Sequence, residues 1–434
     1  MRFTMVCIGS TGDVRPYVFL GKELTRRGHD VGICAFEDFR GLIEGEGMRF
    51  FPLTGNVRDF MSKLMKPGTS GIGYLKQVKQ SLYSMIEPFL VDLEAACADC
   101  DAIISTYLGM IIHSMAEVRR VPFIQTHYFP MDPTSATPIS SAPGQRAGKG
   151  WNLMTYQLAY LLISTMEMMY LAGWRKEHGM APRRMSGKPA YTLNGHTIPV
   201  LYAISPLLMP RPRSWGENIH MTGFWLGGKE SDYTPDPALQ AFLEAGEKPV
   251  YIGFGSMTSG DMGETLEIVL EAVQKSGVRA IISKGWGDAN IPMQKDVFSV
   301  DYVPHEWLFE RVAAVVHHGG AGTTATGILA HKPTLIIPFG GDQPFWAMRV
   351  RMLGLGPKPI RREKLTAAKL SKALDNLVAV KSYRVAVREV GERLRNENGK
   401  VIAANIIEHE VDKWLQQDDL WMPPINRPRK RRRS

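Results

Sequence analysis

Residues His317–Thr324 read His-His-Gly-Gly-Ala-Gly-Thr-Thr, a compact group of possible donors. They follow an apolar run, Val312–Val316, and precede a helix-like stretch that reaches about His331. A loop of small residues opening a helix lets backbone N–H groups approach an anion, and the helix dipole favours negative charge there. His318, Gly320, Gly322, Thr323 and Thr324 are therefore candidates for holding a diphosphate. His317 is expected to pack inward, because neighbours leaving a strand point to opposite faces. A bare glycine turn capped by Thr323 is the alternative reading, and the doubled His and Thr argue against it.

One strand further on, Asp342 and Gln343 offer a carboxylate and an amide suited to sugar hydroxyls, although Gly-Gly-Asp-Gln-Pro also reads as an ordinary turn. Near the start, Asp13 lies in a loop between an apolar run and a helical stretch. Such a carboxylate can serve as a general base, which a neutral alcohol needs to become a nucleophile. It can equally cap a helix, and the residues alone favour the cap. Gly9-x-x-Gly12 lacks the full GxGxxG pattern, and Ala35-Phe36 stands where a ribose-binding acid belongs, so a nicotinamide enzyme is a distant second class. Asp99-Cys100-Asp101 has the DxD form of a metal site, yet it precedes a strand far from the glycine loop and is set aside.

These residues need a scaffold that brings strand ends together. Arg2–Ile8, Val14–Arg27 and Asp30–Ala35 read as strand, helix and strand, a right-handed βαβ unit. Met48–Pro52, Ala102–Ser105, Phe123–Thr126 and Leu201–Ser205 continue the series. A second alternation follows: strands Val250–Phe254, Arg279–Ser283, Phe298–Asp301, Ala313–His317 and Thr334–Pro338, then helices Thr366–Leu377, Ser382–Asn396 and Val401–Gln416. The fold class is α/β with two doubly wound domains. The expected division is a first domain over 1–205, a Pro- and Gly-rich linker over 206–228, a second domain over 229–400, a closing helix over 401–417 and a basic, disordered tail over 418–434.

The 434 residues carry a net charge of +9. Six of those charges sit in the tail, at Arg427, Arg429, Lys430, Arg431, Arg432 and Arg433, leaving +3 for the rest. The basicity is thus local, and no nucleic-acid partner is expected; the tail suits an anionic lipid surface. The opening MRFTMVCIGS reads as a first strand rather than a leader. Trp151–Trp174 is apolar enough to raise a membrane span, but it contains Glu167 and reads as a helix of the first domain. Four cysteines, two in buried-looking strands, suit a reducing cytoplasm, and Cys97/Cys100 lack a second pair for zinc.

The run from Val316 to Gln343 resembles the donor signature of family 1, GT-B-fold glycosyltransferases. Val303-Pro304-His305, Gly253–Met257 and Gly9–Pro16 resemble that family's base loop, first second-domain loop and opening acceptor loop. Trp174–Glu177, Ser205–Pro212 and Thr222–Trp225 are similar to the sterol 3-β-glucosyltransferase branch. The resemblance implies two Rossmann-like domains facing a cleft, with acceptor in the first, donor in the second, and a last helix crossing back. It implies an inverting, metal-independent hexosyltransferase that needs no cofactor and uses a UDP-sugar, UDP-glucose, on a sterol or similar lipophilic hydroxyl. Asp13 becomes the base. Ser256, Trp286, Val303 and His305 join His318, Gly320, Gly322, Thr323, Thr324, Asp342 and Gln343 around the donor. Thr326 stands where plant relatives carry a ribose-binding Glu. Gly12, His127, Tyr128, Asp132, Met154 and Met169 are acceptor-side candidates. The alternatives are a glycosyltransferase of polyketide, macrolide or glycopeptide aglycones, or a non-catalytic nucleotide-sugar-binding protein.

Overall fold

The structure is a computed structural model that describes residues 1–57, 59, 86–106, 109–139, 148–227, 233–255, 262–285 and 295–421. Strands β1 (Arg2–Val6), β2 (Asp30–Phe36), β3 (Arg49–Leu53), β4 (Ala102–Ser105) and β5 (Phe123–His127) belong to the first sheet. A short antiparallel pair, β6 (Thr192–Leu193) and β7 (His196–Thr197), stands apart. β8 (Val200–Tyr202) and β9 (Ile219–Met221) complete a seven-stranded parallel sheet in the order β3-β2-β1-β4-β5-β8-β9. Its strands read as continuous apolar runs, since both faces are covered.

The second sheet holds β10 (Val250–Gly253), β11 (Ala280–Ser283), β12 (Val297–Val300), β13 (Ala314–His317) and β14 (Thr334–Ile336), all parallel, in the order β12-β11-β10-β13-β14. Strand order reverses between β1 and β4 in one sheet and between β10 and β13 in the other. Ligands bind open α/β sheets at such reversals, beyond the carboxyl ends of the strands. The first turn of the helix after β1 carries Asp13, and the loop after β13 carries His318.

Two differences from the sequence reading stand out. The span 206–228, expected as linker, contributes β9 to the first sheet. The first helix runs Thr11–Arg26 and starts three residues before the expected Val14, because Ser10 rather than Asp13 takes the N-cap. Among the described residues, no helix is long and apolar enough to cross a membrane. The basic run Arg427–Arg433 lies outside the described residues.

The last helix, Gly399–Trp421, returns to the first sheet. Ala403, Ala404, Ile407, Val411 and Trp414 are buried in that sheet's core. Glu408 receives Arg27 at 2.6 Å and His29 Nε2 at 2.7 Å, and His196 stacks on Trp414 at 4.1 Å. The chain therefore passes between the halves twice, and the two passages touch: a Cβ on Gly399 would lie 2.4 Å from the Phe224 carbonyl oxygen. A third apolar cluster bridges the halves, with Tyr202, Trp215 and Phe224 on one side and Ile328, Phe345 and Trp346 on the other.

Candidate active site

Asp13 is the third residue of the first helix and closes a capping box. Its Oδ2 accepts the Ser10 N–H at 2.7 Å and the Ser10 hydroxyl at 3.1 Å. Its Oδ1 makes no hydrogen bond among the described residues. One oxygen thus fixes the carboxylate, and the other can take a proton. Burial pushes the Asp13 carboxyl up, against the downward pull of both Ser10 bonds, so it is a better base than a surface aspartate. Gly9 must lack a side chain, since a Cβ there would fall 2.2 Å from Asp13 Oδ2.

An aromatic wall stands behind this turn. Tyr128 donates to the Asp13 backbone carbonyl at 3.1 Å. Tyr17, Tyr128 and Trp225 meet edge to face, with ring centres 6.0–6.4 Å apart. Tyr17 bonds the Thr126 hydroxyl at 2.5 Å, and Trp225 donates to Thr222 at 2.9 Å. Tyr17 and Trp225 were not singled out as site residues by the sequence. Their signal was the Thr222–Trp225 motif, whose tryptophan reaches back to the first helix.

Opposite stands the glycine loop. Gly320 caps the helix Ala321–Leu329, whose first-turn N–H groups have no helical acceptor. The His318 ring lies between two glycines: a Cβ on Gly255 would come within 3.0 Å of it and one on Gly320 within 2.8 Å. His318 Nδ1 is buried without a partner, and burial pulls the ring's pKa down to about 4, so the imidazole is neutral. His317 is fully buried as expected, its Nδ1 accepting the Gly319 N–H at 3.0 Å. Asp342 caps the helix Gln343–Met352, and Trp346 donates to its Oδ2 at 2.9 Å. Burial, then the charge of Asp13, pushes the Asp342 carboxyl up to about 7. Arg15, two residues after Asp13, reaches Glu306 of the second half at 3.8 Å.

Residues 3–138 match the glycosyltransferase family 28 N-terminal domain, and residues 271–409 match the C-terminal domain described as erythromycin biosynthesis protein CIII-like. The sterol 3-beta-glucosyltransferase of Yarrowia lipolytica is 34% identical over 431 residues, covering 95% of this chain and 29% of that protein. The Aspergillus fumigatus enzyme of the same name is 33% identical over 433 residues, covering 95% and 30%. The chain thus spans under a third of the length of these curated relatives. Among solved structures, the glycosyltransferase of kitacinnamycin superposes with a TM-score of 0.69 at 19% identity, covering 94% of this chain and 99% of that one. The calicheamicin glycosyltransferase CalG4 gives 0.66 at 16% identity, covering 95% and 98%. The chain belongs to the GT-B-fold glycosyltransferases. It is related to sterol 3-beta-glucosyltransferases and to bacterial natural-product glycosyltransferases.

On this GT-B frame the sequence-derived candidates separate into two groups. Gly12 and Asp13 follow β1 and His318, Gly320, Gly322 and Thr323 follow β13, at the two reversals, while Asp342 follows the edge strand β14. Thr324 does not present its hydroxyl: it is fully buried and donates to the Gly320 carbonyl at 2.8 Å. Thr326 is bonded likewise to the Gly322 carbonyl at 3.0 Å. The Gln343 side-chain oxygen Oε1 holds its own loop, accepting the Phe339 and Gly340 N–H groups at 2.7 and 3.1 Å. His305 turns its ring inward, stacked on Phe309 at 4.6 Å and bonded to Tyr251 at 3.1 Å, while Val303 is buried. Ser256 and Trp286 lie outside the described residues.

On the acceptor side, Asp132 is enclosed by the hydroxyls of Tyr191 and Tyr202, the latter at 2.5 Å. His127 is buried beside Gln125, and burial holds its pKa near 4. Asp132 thereby anchors the segment after β5 to Tyr191 and Tyr202. Met154 and Met169 are 41% and 49% exposed on the helix Lys149–Tyr170. Asp99 and Asp101 both pair with Arg2 at the start of β1, the sheet edge opposite the site. Among the described residues no cluster of three or more His, Cys, Asp or Glu side chains is placed to hold a metal ion.

Proposed function

We propose that this chain transfers a hexose, glucose, from UDP-glucose to a hydroxyl of a sterol or similarly lipophilic acceptor, with inversion at the anomeric carbon. The observation that carries this reading is that the Asp13 and Asp342 carboxyls, one after β1 and the other after β14, feel each other's charge, and that the helix Ala321–Leu329 opens without a side-chain cap. Asp13 Oδ1 removes the acceptor's hydroxyl proton as the oxygen attacks the anomeric carbon. The bond to the diphosphate breaks in the same displacement, and the leaving charge falls on the N–H groups opening the helix Ala321–Leu329, with Thr323 as a further donor and the neutral His318 ring, bonded to the Gly253 backbone, holding the loop in shape. Asp342 binds sugar hydroxyls. The buried Tyr17–Tyr128–Trp225 wall holds the Asp13 turn in place from behind. We also propose a cytoplasmic protein that works at the face of a membrane, where such acceptors dissolve.

The test is incubation of the purified chain with UDP-glucose, or separately dTDP-glucose, and a panel of sterols and polyketide, macrolide or glycopeptide aglycones. The expected result is a mass gain of one hexose on a sterol, with UDP-glucose as donor. Gain on an aglycone alone moves the acceptor to natural products. Neither transfer nor donor hydrolysis would leave a nucleotide-sugar-binding protein without catalysis.

A further inference from the structure

The helix Lys149–Tyr170 carries apolar side chains on two sides. Tyr156, Tyr160, Ser164 and Glu167 face inward and are buried. Met154, Leu158, Leu162 and Met169 face outward, exposed by 41%, 56%, 41% and 49%. At 3.6 residues per turn these four positions fall on one stripe, with Thr165 at its centre. The segment Arg184–Lys188 runs beside this stripe, against Gln157, Leu161 and Ser164. Met185, 60% exposed, has its sulfur 3.4 Å from the Thr165 hydroxyl, which itself donates to the Leu161 carbonyl at 2.7 Å, and Ser186 exchanges bonds with Ser164 at 2.9 and 3.0 Å. A Cβ on Gly187 would touch Gln157 and Leu161.

Charge on this surface has one sign. The helix contains two charged residues, Lys149 at its start and Glu167, which is turned inward and 7% exposed. Arg184 and Lys188 are exposed, and neither side chain has an acidic partner among the described residues. An apolar row of this length is unusual on a soluble surface unless something covers it.

We infer that the outer stripe of Lys149–Tyr170, with the Arg184–Lys188 segment, docks on an anionic lipid bilayer. Leu158, Leu162 and Met185 enter the acyl boundary while Arg184 and Lys188 meet lipid phosphates, the arrangement of an in-plane amphipathic helix. A second copy of the chain fits less well, because the stripe and its flanking segment offer no exposed acid to pair with the cations. The inference deepens the proposed function and rests on its lipophilic acceptor, which this face would bring within reach of the first domain.

The experiment is flotation of the full chain, without substrates, on vesicles of phosphatidylcholine alone or with added phosphatidylserine. Binding is expected on the mixed vesicles and little on the neutral ones. Arg184→Gln with Lys188→Gln should weaken it on the order of thirtyfold, about fivefold for each surface cation. Leu158→Ser with Leu162→Ser should weaken it on the order of tenfold or more. Both double variants should keep the parent melting temperature. Undiminished binding by either would assign the attraction to Arg427–Arg433 and overturn the inference. So would a dimeric parent that the Leu variant converts to monomer with no change in vesicle binding. Vesicle binding as stated without sugar transfer to any sterol would retain this face and reject the proposed acceptor; transfer to a soluble sterol without vesicle binding would do the reverse.

Discussion

The carboxyl groups of Asp13 and Asp342, from opposite halves of the chain, lie close enough that the charge of one raises the proton affinity of the other. Burial is the larger cause of the upward shift in Asp342, and Asp13 is the second. In the proposed reaction the attacked carbon is part of the sugar, so a base acting on the acceptor hydroxyl and a group binding the sugar hydroxyls have to stand near each other.

Asp13→Asn keeps the size of the side chain and an oxygen for the Ser10 bonds, but cannot accept the acceptor's proton. Turnover should fall on the order of a hundredfold or more, with the melting temperature and UDP affinity close to those of the parent. Steady-state rates beside calorimetric UDP binding decide this. Unchanged turnover would remove Asp13 from the reaction.

The raised pKa of Asp342 makes the folded chain bind a proton that the unfolded chain has released. The stability it contributes is present in full below the unfolded value of about 4 and is lost as pH rises through about 7. Asp342→Asn should flatten the melting-temperature profile across that window. Asp13→Asn should shift the remaining Asp342 titration to lower pH, because a like charge is gone. Melting curves from pH 4 to pH 8 on the three proteins test both statements, and parallel profiles would contradict them.

Donor contacts can be separated by which atoms are already engaged. His318→Ala and Thr323→Ala should each weaken UDP binding. Gly320→Ala should do the same through His318, whose ring a new Cβ would displace. Thr324→Val removes a bond internal to the helix, so it should leave UDP affinity within about threefold and shift stability by about 1 kcal/mol. EDTA should leave turnover unchanged. Activity lost in EDTA and restored by Mg²⁺ would reopen Asp99 and Asp101 despite their pairing with Arg2.

Asp342 and Gln343 are neighbours with different expected losses. Asp342→Ala should weaken UDP-glucose by about 1–3 kcal/mol while UDP alone binds almost as before. Gln343→Ala strips the Phe339 and Gly340 N–H groups of their acceptor, so it should loosen the loop, lower the melting temperature and weaken both ligands. Identical effects of the two substitutions would mean that neither contacts the sugar separately.

The unit from Val312 to Gln343 was legible because its apolar runs are short, its glycines adjacent and its helix bounded. The same local information could not say which way a hydroxyl points: Thr323 and Thr324 look alike in sequence, and helix phase alone turns Thr324 into its own backbone. The start of the first helix was misplaced because Ser10-Thr11-Gly12 has weak helix propensity. The Ser10-x-x-Asp13 box overrides that weakness, and it also makes the cap and base readings of Asp13 compatible. β9 was missed because Ile219–Met221 is three residues long in a proline- and glycine-rich span, and only pairing with β8 makes it a strand. The Tyr17–Tyr128–Trp225 wall joins three distant segments and has no local period to announce it.

The helix that closes the chain has a bearing on how this molecule can be taken apart. Ala403, Ala404, Ile407, Val411 and Trp414 belong by sequence to the second half but lie in the core of the first. A protease nick between β9 and β10 would therefore yield two fragments that still purify as one. Conversely, the halves are not interchangeable cartridges. A hybrid that borrows its first half from another glycosyltransferase must also supply a socket shaped for those five side chains, together with an anchor for Glu408. Swapping the first half alone would leave a greasy helix without a seat, and the residues Gly399–Trp421 would have to travel with that half to avoid it.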